Sequence, residues 1–239
     1  DITLLGEHHI KHKLREVYEI CHYFLGVDPT KEWVPVRPAQ HYTMGGVRTK
    51  PTGESPTLKG LFAAGEAACW DMHGFNRLGG NSVAETVVAG MIVGEFIADF
   101  CDKAENGIDI PTSLIYGALA KEEARLKSFI NNGGSEIRTR MQEIMTTKIG
   151  IFRKGADMES AVAELEELYK RSFKVSVKDV VGPNPELIYA YRTQKMLRVA
   201  LSVAYGALNR KESRGAHYRE DFPVRNDIEW LNRTIATWK

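Results

Sequence analysis

The chain has 239 residues, which is enough for one large domain or two domains of ordinary size. Its apolar content of 43% and charged content of 26% are those of a globular protein, and they exclude a disordered or collagen-like chain. A formal net charge of +1 provides no overall field that would recruit nucleic acid or an anionic membrane, so no nucleic-acid partner is expected.

The cysteines narrow the class of protein further. There are three of them, Cys21, Cys69 and Cys101, and they are far apart and include no C-x-x-C pair. This pattern argues against a disulfide scaffold, a zinc site and a set of iron–sulfur ligands within this chain. A reducing compartment fits it best.

No segment has the pattern of a signal peptide or of a membrane-spanning helix. The first residues include neither a basic region nor an apolar core, and a start at Asp1 rather than Met suggests a piece of a longer protein. The longest apolar stretch, residues 83–100, is interrupted by acidic side chains and is too polar to span a bilayer. Any membrane association is therefore expected to go through a partner.

The first part of the chain mixes helical and extended patterns. Apolar residues at helical spacing predict one helix over residues 6–25, ended by Gly26. Residues 40–49 and 60–65 are predicted to be strands joined by a turn, and the second is apolar on both faces, as in a buried strand. The apolar stripe of the helix consists of Ile10, Leu14, Val17, Cys21 and Phe24.

A second long helix is predicted over residues 81–99. Asn81 or Ser82 can cap it, and Glu85 stands three residues after Ser82, which permits a capping box. Small residues along this helix would let it lie very close to a sheet or another helix. They are Ala84, Ala89, Gly90 and Gly94.

The composition changes at a linker around residues 106–111, and the chain beyond it is almost wholly helical. Short connections between helices favour an antiparallel bundle. The predicted fold class is α+β, with a partial α/β ligand-binding region followed by an antiparallel bundle of three to four helices. The expected domains are residues 1–106, 107–210 and a charged extension over 211–239, and the expected helices of the bundle are residues 114–131, 136–152, 158–173 and 186–209.

The segment MHGFNRLGGNSV, residues 72–83, has the chemistry of an anion site. Its glycines let backbone approach a ligand closely, and it leads into a helix whose N-terminus offers free N–H groups and the positive end of the dipole. Arg77 lies in the same loop, and its planar guanidinium can grip a carboxylate through two hydrogen bonds. The alternative is a surface loop with a structural arginine.

Two further side chains are candidates. His41, just before a Gly-Gly turn, can donate to an anion or act as an acid or base, although a histidine satisfied by backbone explains it better when it is taken alone. Glu66 follows a predicted buried strand, where nucleotide-binding folds place ligand contacts, and the alternative is an ordinary surface carboxylate. No G-x-G-x-x-G occurs, so a nucleotide would have its pyrophosphate held by residues outside this chain.

Two charged clusters have a simpler interpretation. His8 and His12 are spaced for a metal on a helix face, but basic residues surround them and no acidic or cysteine ligand is near, so we expect no metal. The tail over residues 212–227 alternates arginines with acidic residues. Such a run usually forms a solvated or salt-bridged surface, and it could equally form a docking rim for another subunit.

Four longer sequence motifs, called strings below, occur in a fixed order along the chain and are more specific than the residue chemistry above. They are HYTMGG (41–46), KGLFAAGE (59–66), HGFNRLGGNS (73–82) and ESRGAH-x-RED-x-P-x-R-x-D (212–227). Together they resemble the flavoprotein subunit of fumarate reductase and succinate dehydrogenase, and the wording is most similar to that of bacterial quinol:fumarate reductases. The resemblance extends over essentially the whole chain and identifies it as the C-terminal part of such a subunit.

The resemblance assigns roles to the candidate residues. It implies that His41 and Arg77 bind carboxylates of fumarate or succinate, and that Glu66, Ser82 and Val83 contact FAD. A hydride would pass between the flavin and the dicarboxylate. The family's proton-shuttle arginine, its FAD-linking histidine and its glycine-rich FAD fingerprint are expected upstream, so no catalytic residue is assigned here and the chain is expected to be inert alone.

The resemblance also implies partners and rivals. An iron–sulfur subunit would relay electrons to quinone, and a membrane anchor would hold the complex at the cytoplasmic face of the inner membrane. An L-aspartate oxidase shares several of the strings, although Met44 and the wording after Arg77 favour the fumarate and succinate branch. The helical half could alternatively be a docking module for an electron-transfer subunit. Phe75 departs from the usual H-G-A-N-R and adds bulk near Arg77 without removing a polar group.

Overall fold

The computed structural model describes residues 1–37, 41–104, 110–127, 134–177 and 181–237. Contacts divide the chain into two compact units, Asp1–Ala39 and Gln40–Lys239.

The first unit is helical, but the predicted helix over residues 6–25 is interrupted. After a 3₁₀ turn at Thr3–Leu5, helix α1 runs over Glu7–Lys13 and α2 over Arg15–Ile20, followed by a π-helical turn at Cys21–Leu25. The break is at Leu14, whose φ of −116° and ψ of 34° leave the helical region. Gly26 ends the segment as predicted, in the left-handed conformation with φ of 68°. Of the apolar stripe, Ile10 and Cys21 are buried, whereas Val17 and Phe24 are exposed.

The strands that follow are much shorter than predicted. Strand β1 (Val47–Arg48) pairs in parallel with β2 (Ala68–Cys69), Val47 opposite Ala68. Residue 40 lies outside the described residues, and residues 41–46 are not a strand. The prediction of a buried strand over 60–65 is wrong, because Gly60 and Gly65 at its two ends have φ of 80° and 64°. Phe62 makes one isolated antiparallel bridge to Glu54 within it.

Helix α3 (Asn81–Lys103) begins where predicted and packs against the 3₁₀ turn at Gly65–Ala67. The glycines that allow close packing belong to its partners rather than to the helix. A Cβ on Gly53 would lie 2.3 Å from Val93 Cγ2, whereas a Cβ on Gly90 or Gly94 would meet nothing within 4 Å. The predicted capping box is wrong. The N-cap is Gly80, with no side-chain cap, because Glu85 turns to other partners.

The helical half contains α4 (Thr112–Lys127), α5 (Gly134–Lys148), α6 (Gly155–Ser172) and α7 (Pro185–Asn209). Residues 106–109 of the predicted linker and 128–131 of the first predicted helix lie outside the described residues. Helices α5, α6 and α7 pack around one core, and buried side chains recur along each at the spacing of one helical face. The antiparallel arrangement stays a prediction. The core includes Ile137, Met141, Ile144, Met158, Leu165 and Leu197.

Two features of this half differ from the prediction. The side chains of residues 112–124 on α4 are all exposed, including apolar ones such as Leu114, so α4 adds little to the core. Helix α5 ends at Lys148 rather than at residue 152. Phe152 and Arg153 instead form strand β3, which pairs in parallel with β4 (Tyr218–Arg219) of the tail.

The charged tail is folded back onto the helices. It is salt-bridged, as one part of the prediction had it, but its central residues are buried rather than on a surface. Arg219 is buried, and its Nη1 donates to the carbonyls of Ala207, Leu208 and Arg210 at 3.1, 2.9 and 3.1 Å, at the negative end of α7. Asp221 accepts from Arg219 and also, at 3.0 Å, from the backbone N–H of Gly155 at the start of α6. The tail thus ties two helix ends together.

A second group of charges in the tail is centred on Glu212, which is fully buried. It accepts from the guanidinium groups of Arg210 and Arg214, and from the backbone N–H of Asn226 at 2.9 Å. Asn226 in turn caps the short helix α8 (Asp227–Trp230). By contrast, Arg225 is exposed and pairs with Asp227.

The buried His217 should make stability depend on pH. Its Nδ1 accepts from Arg153 at 2.8 Å and its Nε2 donates to the Arg210 carbonyl at 3.2 Å. Burial, and then the charges of Arg153, Arg219 and Arg210, lower the pKa of His217 below 6.5. As pH falls below 6.5, His217 therefore takes up a proton in the unfolded chain before it does so in the folded chain. The free energy of unfolding should fall with pH over this range.

Native-state hydrogen exchange of the α7 amides at pH 7.5 and 5.5 would measure this loss. His217→Gln should reduce the difference between the two pH values. An unchanged difference in that variant would show that His217 is not its source.

Within the described ranges, no helix is both long enough and apolar enough to cross a membrane.

Candidate functional site

The start of helix α3 is open to a ligand. A Cβ added to Gly79 or Gly80 would meet nothing within 4 Å, so another molecule can approach the backbone there. The first turn of α3 carries no acidic residue and no side-chain cap. Ser82 is half-buried and Val83 is exposed in that turn. Their backbone N–H groups belong to the four that a helix cannot satisfy internally, and they suit an anion or a ligand carbonyl.

Arg77 is held in a fixed orientation just before this helix. Its side chain is only 4% exposed, and its Nε donates to Glu85 Oε2 at 3.2 Å. The guanidinium lies over the ring of Tyr42, 4.1 Å from the centroid, and Nη1 contacts Met44 Sδ at 2.9 Å. Among the described residues, Nη2 has no hydrogen-bond or ion-pair partner. The unused end of the fork is the part that can grip a carboxylate.

Glu85 completes the site and was missed as a site residue in the sequence. It is buried on α3, and its Oε2 accepts from His73 Nε2 at 3.0 Å as well as from Arg77. Oε1 is buried without a hydrogen-bond partner in the described structure. Glu85 lines an open cavity of about 520 Å³, together with His73 and Asn76. The signal in the sequence was a carboxylate eight residues after Arg77, which also fitted a capping box.

The HYTMGG segment lies against both Arg77 and Glu66. Tyr42 and Met44 contact the guanidinium as described, and the backbone N–H of Thr43 donates to Glu66 Oε1 at 2.8 Å. Gly46 permits this approach, because a Cβ there would lie 2.4 Å from the Ala67 carbonyl oxygen. The imidazole of His41 is exposed, with its centroid 6.1 Å from that of Tyr42.

The structure therefore brings three of the predicted elements together: the HYTMGG segment, the Gly-Glu turn and the loop before α3. The loop before α3 contributes the cation Arg77, and the Gly-Glu turn contributes the carboxylate Glu66. The HYTMGG segment contributes His41, which directly precedes the tyrosine under the guanidinium. Chemically, this arrangement can bind an acidic ligand beside a helix N-terminus.

Comparison with known proteins agrees with this arrangement. The family model described as fumarate reductase flavoprotein C-term matches residues 138–239, and the one described as FAD binding domain matches residues 1–83. A fumarate reductase flavoprotein subunit of Helicobacter pylori is 47% identical over 270 residues, which cover 100% of this chain and 37% of the relative. The chain belongs to the fumarate reductase and succinate dehydrogenase flavoprotein family.

Solved structures share both fold and sequence with this flavoprotein chain. A quinol-fumarate reductase with menaquinol molecules matches with a TM-score of 0.85 and 38% identity, over 97% of this chain and 41% of the other. A quinol fumarate reductase of Escherichia coli matches with a TM-score of 0.84 and 38% identity, over 97% and 40%. The chain thus spans about two fifths of the length of these relatives. FAD is the cofactor of the family.

No group of three or more potential metal ligands occurs within the part of this flavoprotein chain that the structure describes. The two histidines that had metal spacing make other contacts. The rings of His8 and His12 stack with centroids 4.2 Å apart, and His12 Nδ1 lies 2.8 Å from the His8 carbonyl oxygen.

Phe75, the departure from the usual family wording, packs against the tail. A Cβ on Gly215 would lie 2.6 Å from Phe75 Cβ, and the guanidinium of Arg210 lies 5.6 Å from the phenyl centroid. A second link joins Arg233 Nε to Asp71 Oδ1 at 2.5 Å. The ESRGAH turn of the flavoprotein therefore supports the loop that carries Arg77.

Gly215→Ala should destabilise the protein by about 1–3 kcal/mol, because the new methyl group overlaps Phe75 and the residue has φ of 57°. Urea unfolding of the full-length flavoprotein would measure the loss. The control is Gly117→Ala on the exposed helix α4, where a Cβ has open space around it. This change should stabilise the protein by at most about 1 kcal/mol, because alanine favours a helix more than glycine does.

A double variant isolates the contact. Adding Phe75→Ala to Gly215→Ala should recover the part of the loss that comes from overlap with the ring side chain. Strictly additive losses would show that only the backbone conformation of Gly215 matters.

Proposed function

We propose that this chain supplies half of the dicarboxylate site of an FAD-dependent oxidoreductase that interconverts fumarate and succinate. The observation that carries the proposal is the convergence of Arg77, the segment after His41 and the Gly-Glu turn at the open N-terminus of α3.

Arg77 and His41 are the proposed substrate-binding residues. The free end of the Arg77 guanidinium would take one carboxylate through paired hydrogen bonds, and Tyr42 and Glu85 would keep it from rotating. His41 is exposed and stands one residue before Tyr42, whose ring lies against the guanidinium, and we propose it as a second donor to the same ligand. Two positive or donating groups around one dicarboxylate would both position it and draw electron density toward its carboxylates.

Glu66, Ser82 and Val83 are the proposed FAD contacts. The backbone N–H groups at the start of α3 would favour negative charge on a ring placed against them. Glu66 keeps one carboxylate oxygen after accepting from Thr43, so it can accept a further hydrogen bond. When bound, FAD supplies the two-electron chemistry by exchanging a hydride with the dicarboxylate.

The rest of the catalytic apparatus is proposed to lie in residues outside this sequence. The proton-shuttle arginine and the pyrophosphate grip have no counterpart among the strings quoted above. This division supports the expectation that the 239-residue chain is inert alone, with residues 1–106 as its site-bearing region, 107–210 as an antiparallel helical domain and 211–239 as an extension.

The proposed partners are an iron–sulfur subunit and, beyond it, a membrane anchor at the cytoplasmic face of the inner membrane, with electrons exchanged with quinone. The similarity to quinol fumarate reductases supports this assignment. A docking role for the helical half is the alternative, supported by the exposed apolar side chains of α4, among them Leu114 and Tyr116. Glu212, His217 and Arg219 of the tail are buried within this chain, which argues against a docking rim formed by these residues.

The test compares the full-length flavoprotein with the 239-residue chain, each mixed with FAD. The full-length protein should hold flavin, by its visible absorption spectrum, and should oxidise a reduced viologen dye when fumarate is added. The short chain should do neither. Tightly bound flavin in the short chain would overturn the half-site assignment, and turnover with L-aspartate in place of succinate would favour the aspartate oxidase alternative.

A further inference from the structure

Arg77 and His73 both donate to one oxygen of a buried carboxylate. Glu85 Oε2 is 3.2 Å from Arg77 Nε and 3.0 Å from His73 Nε2. A carboxylate only accepts hydrogen bonds, so the proton in each contact belongs to the cation or the imidazole. Glu85 stands near the start of α3, and a helix of 23 residues provides a rigid base for it.

Stability alone does not explain this arrangement. The side chains of Arg77 and Glu85 are only 4% and 3% exposed, and an ion pair this deeply buried gives little net stability because both charges lose their hydration. Glu85 Oε1 in addition is buried without a partner in the described residues, which costs free energy. A well-packed apolar pair would hold the loop as firmly.

The arrangement does fix the orientation of the Arg77 guanidinium. With Nε bound to Glu85, one face on Tyr42 and Nη1 against Met44, the guanidinium has a single orientation. Nε–H and one N–H of Nη2 lie on the side of the guanidinium that faces Glu85, and the second N–H of Nη2 lies at the outer end of the group, parallel to one N–H of Nη1. A carboxylate ligand at that outer end would meet a preset pair of N–H groups.

We propose that Glu85 is a positioning residue for the dicarboxylate site, acting through Arg77, and that His73 holds Glu85 in place for this task. The proposal rests on the proposed function. It requires the length of the side chain and an acceptor oxygen at the position of Oε2, rather than the negative charge.

Two substitutions in the full-length flavoprotein separate these requirements. Glu85→Gln keeps the side-chain length and an acceptor oxygen while removing the charge, and its amide nitrogen would replace the oxygen that has no partner. Glu85→Asp keeps the charge but withdraws the carboxylate by one methylene, so it cannot reach both donors. Glu95→Gln, an exposed carboxylate on the same helix, is the matched control.

The measurements are the dissociation constant of malonate, an unreactive dicarboxylate, from the change in flavin absorbance, and kcat and KM for fumarate. Glu85→Asp should weaken malonate binding and lower kcat/KM by about 10²-fold. Glu85→Gln should stay within about threefold of the wild type, since the hydrogen-bonded geometry survives. If Glu85→Asp does not retain flavin, His73→Asn decides, and it should weaken malonate binding by about 10-fold.

Each outcome has one meaning. Loss in Glu85→Gln as large as in Glu85→Asp would mean that charge compensation is the role, and unchanged constants in both would mean that Glu85 has no role in binding. Either result overturns the inference, as does unchanged malonate binding in His73→Asn. A wild-type flavoprotein that neither reduces fumarate nor responds to malonate would instead contradict the proposed function itself.

Discussion

Arg77→Lys should lower kcat/KM for fumarate by about 10²- to 10³-fold in the full-length flavoprotein, the cost of removing one transition-state donor. Lysine keeps the positive charge, so Glu85 stays compensated. A single ammonium group cannot at once bond to Glu85, cover the Tyr42 ring and offer two parallel N–H groups to a carboxylate. The loss should therefore appear in fumarate turnover while flavin content is kept.

The control for this prediction is Arg192→Lys, an exposed arginine on α7. It should leave both constants unchanged. Activity of Arg77→Lys within a few-fold of the wild type would contradict the assignment of Arg77 as a carboxylate-binding residue, because a diffuse positive charge would then suffice. Retention of flavin in both variants would be checked by visible absorbance before any rate is compared.

Glu212→Gln should destabilise the region around α7 by about 3–5 kcal/mol, the range for removing one partner of a buried ion pair. The carboxylate of Glu212 is fully buried and receives the guanidinium groups of Arg210 and Arg214. A neutral amide leaves excess positive charge in a site that water does not reach. Hydrogen exchange of the α7 amides in the full-length protein would measure the local loss.

The matched control is Glu220→Gln in the same tail. Glu220 is exposed and meets Lys154 at 3.2 Å, and a surface pair of this kind contributes at most about 1 kcal/mol. Equal losses in the two variants would show that the burial of Glu212 has no energetic consequence.

Acid should act on the same carboxylate. Hydrogen bonds from Arg214, and then from Asn226 and Arg210, lower the pKa of Glu212 to about 2 from 4.5. The stability it contributes is therefore complete above pH 4.5 and is lost as pH falls from 4.5 toward 2, because the unfolded chain binds the proton first. Glu212→Gln should flatten this part of the acid-unfolding curve.

The sequence by itself determined the helices of the second half and the chemistry proposed for the anion site. The stripe of Met158 and Leu165 on α6 is visible because a helix hydrogen-bonds locally and repeats every 3.6 residues. Arg77 and the glycines after it were recognisable because ligand-binding loops keep their residues close together along the chain. The family strings added the role proposed for His41, which residue chemistry alone left open.

Only the tertiary structure decided which charges are buried and what they hold. Glu85 looked like a capping residue because it stands three residues after Ser82, whereas its partner Arg77 lies in the loop before α3, where helical periodicity gives no contact. Glu212 and Arg219 were expected on a solvated or salt-bridged surface, and their burial was not visible because their partners include the end of α7. Asp221 likewise meets Gly155 from 66 residues away. The strands are shorter than predicted because a strand needs a hydrogen-bonded neighbouring strand, and the local sequence pattern does not show where that neighbour ends. Burial and ion pairing depend on contacts between distant segments, whereas helical periodicity does not.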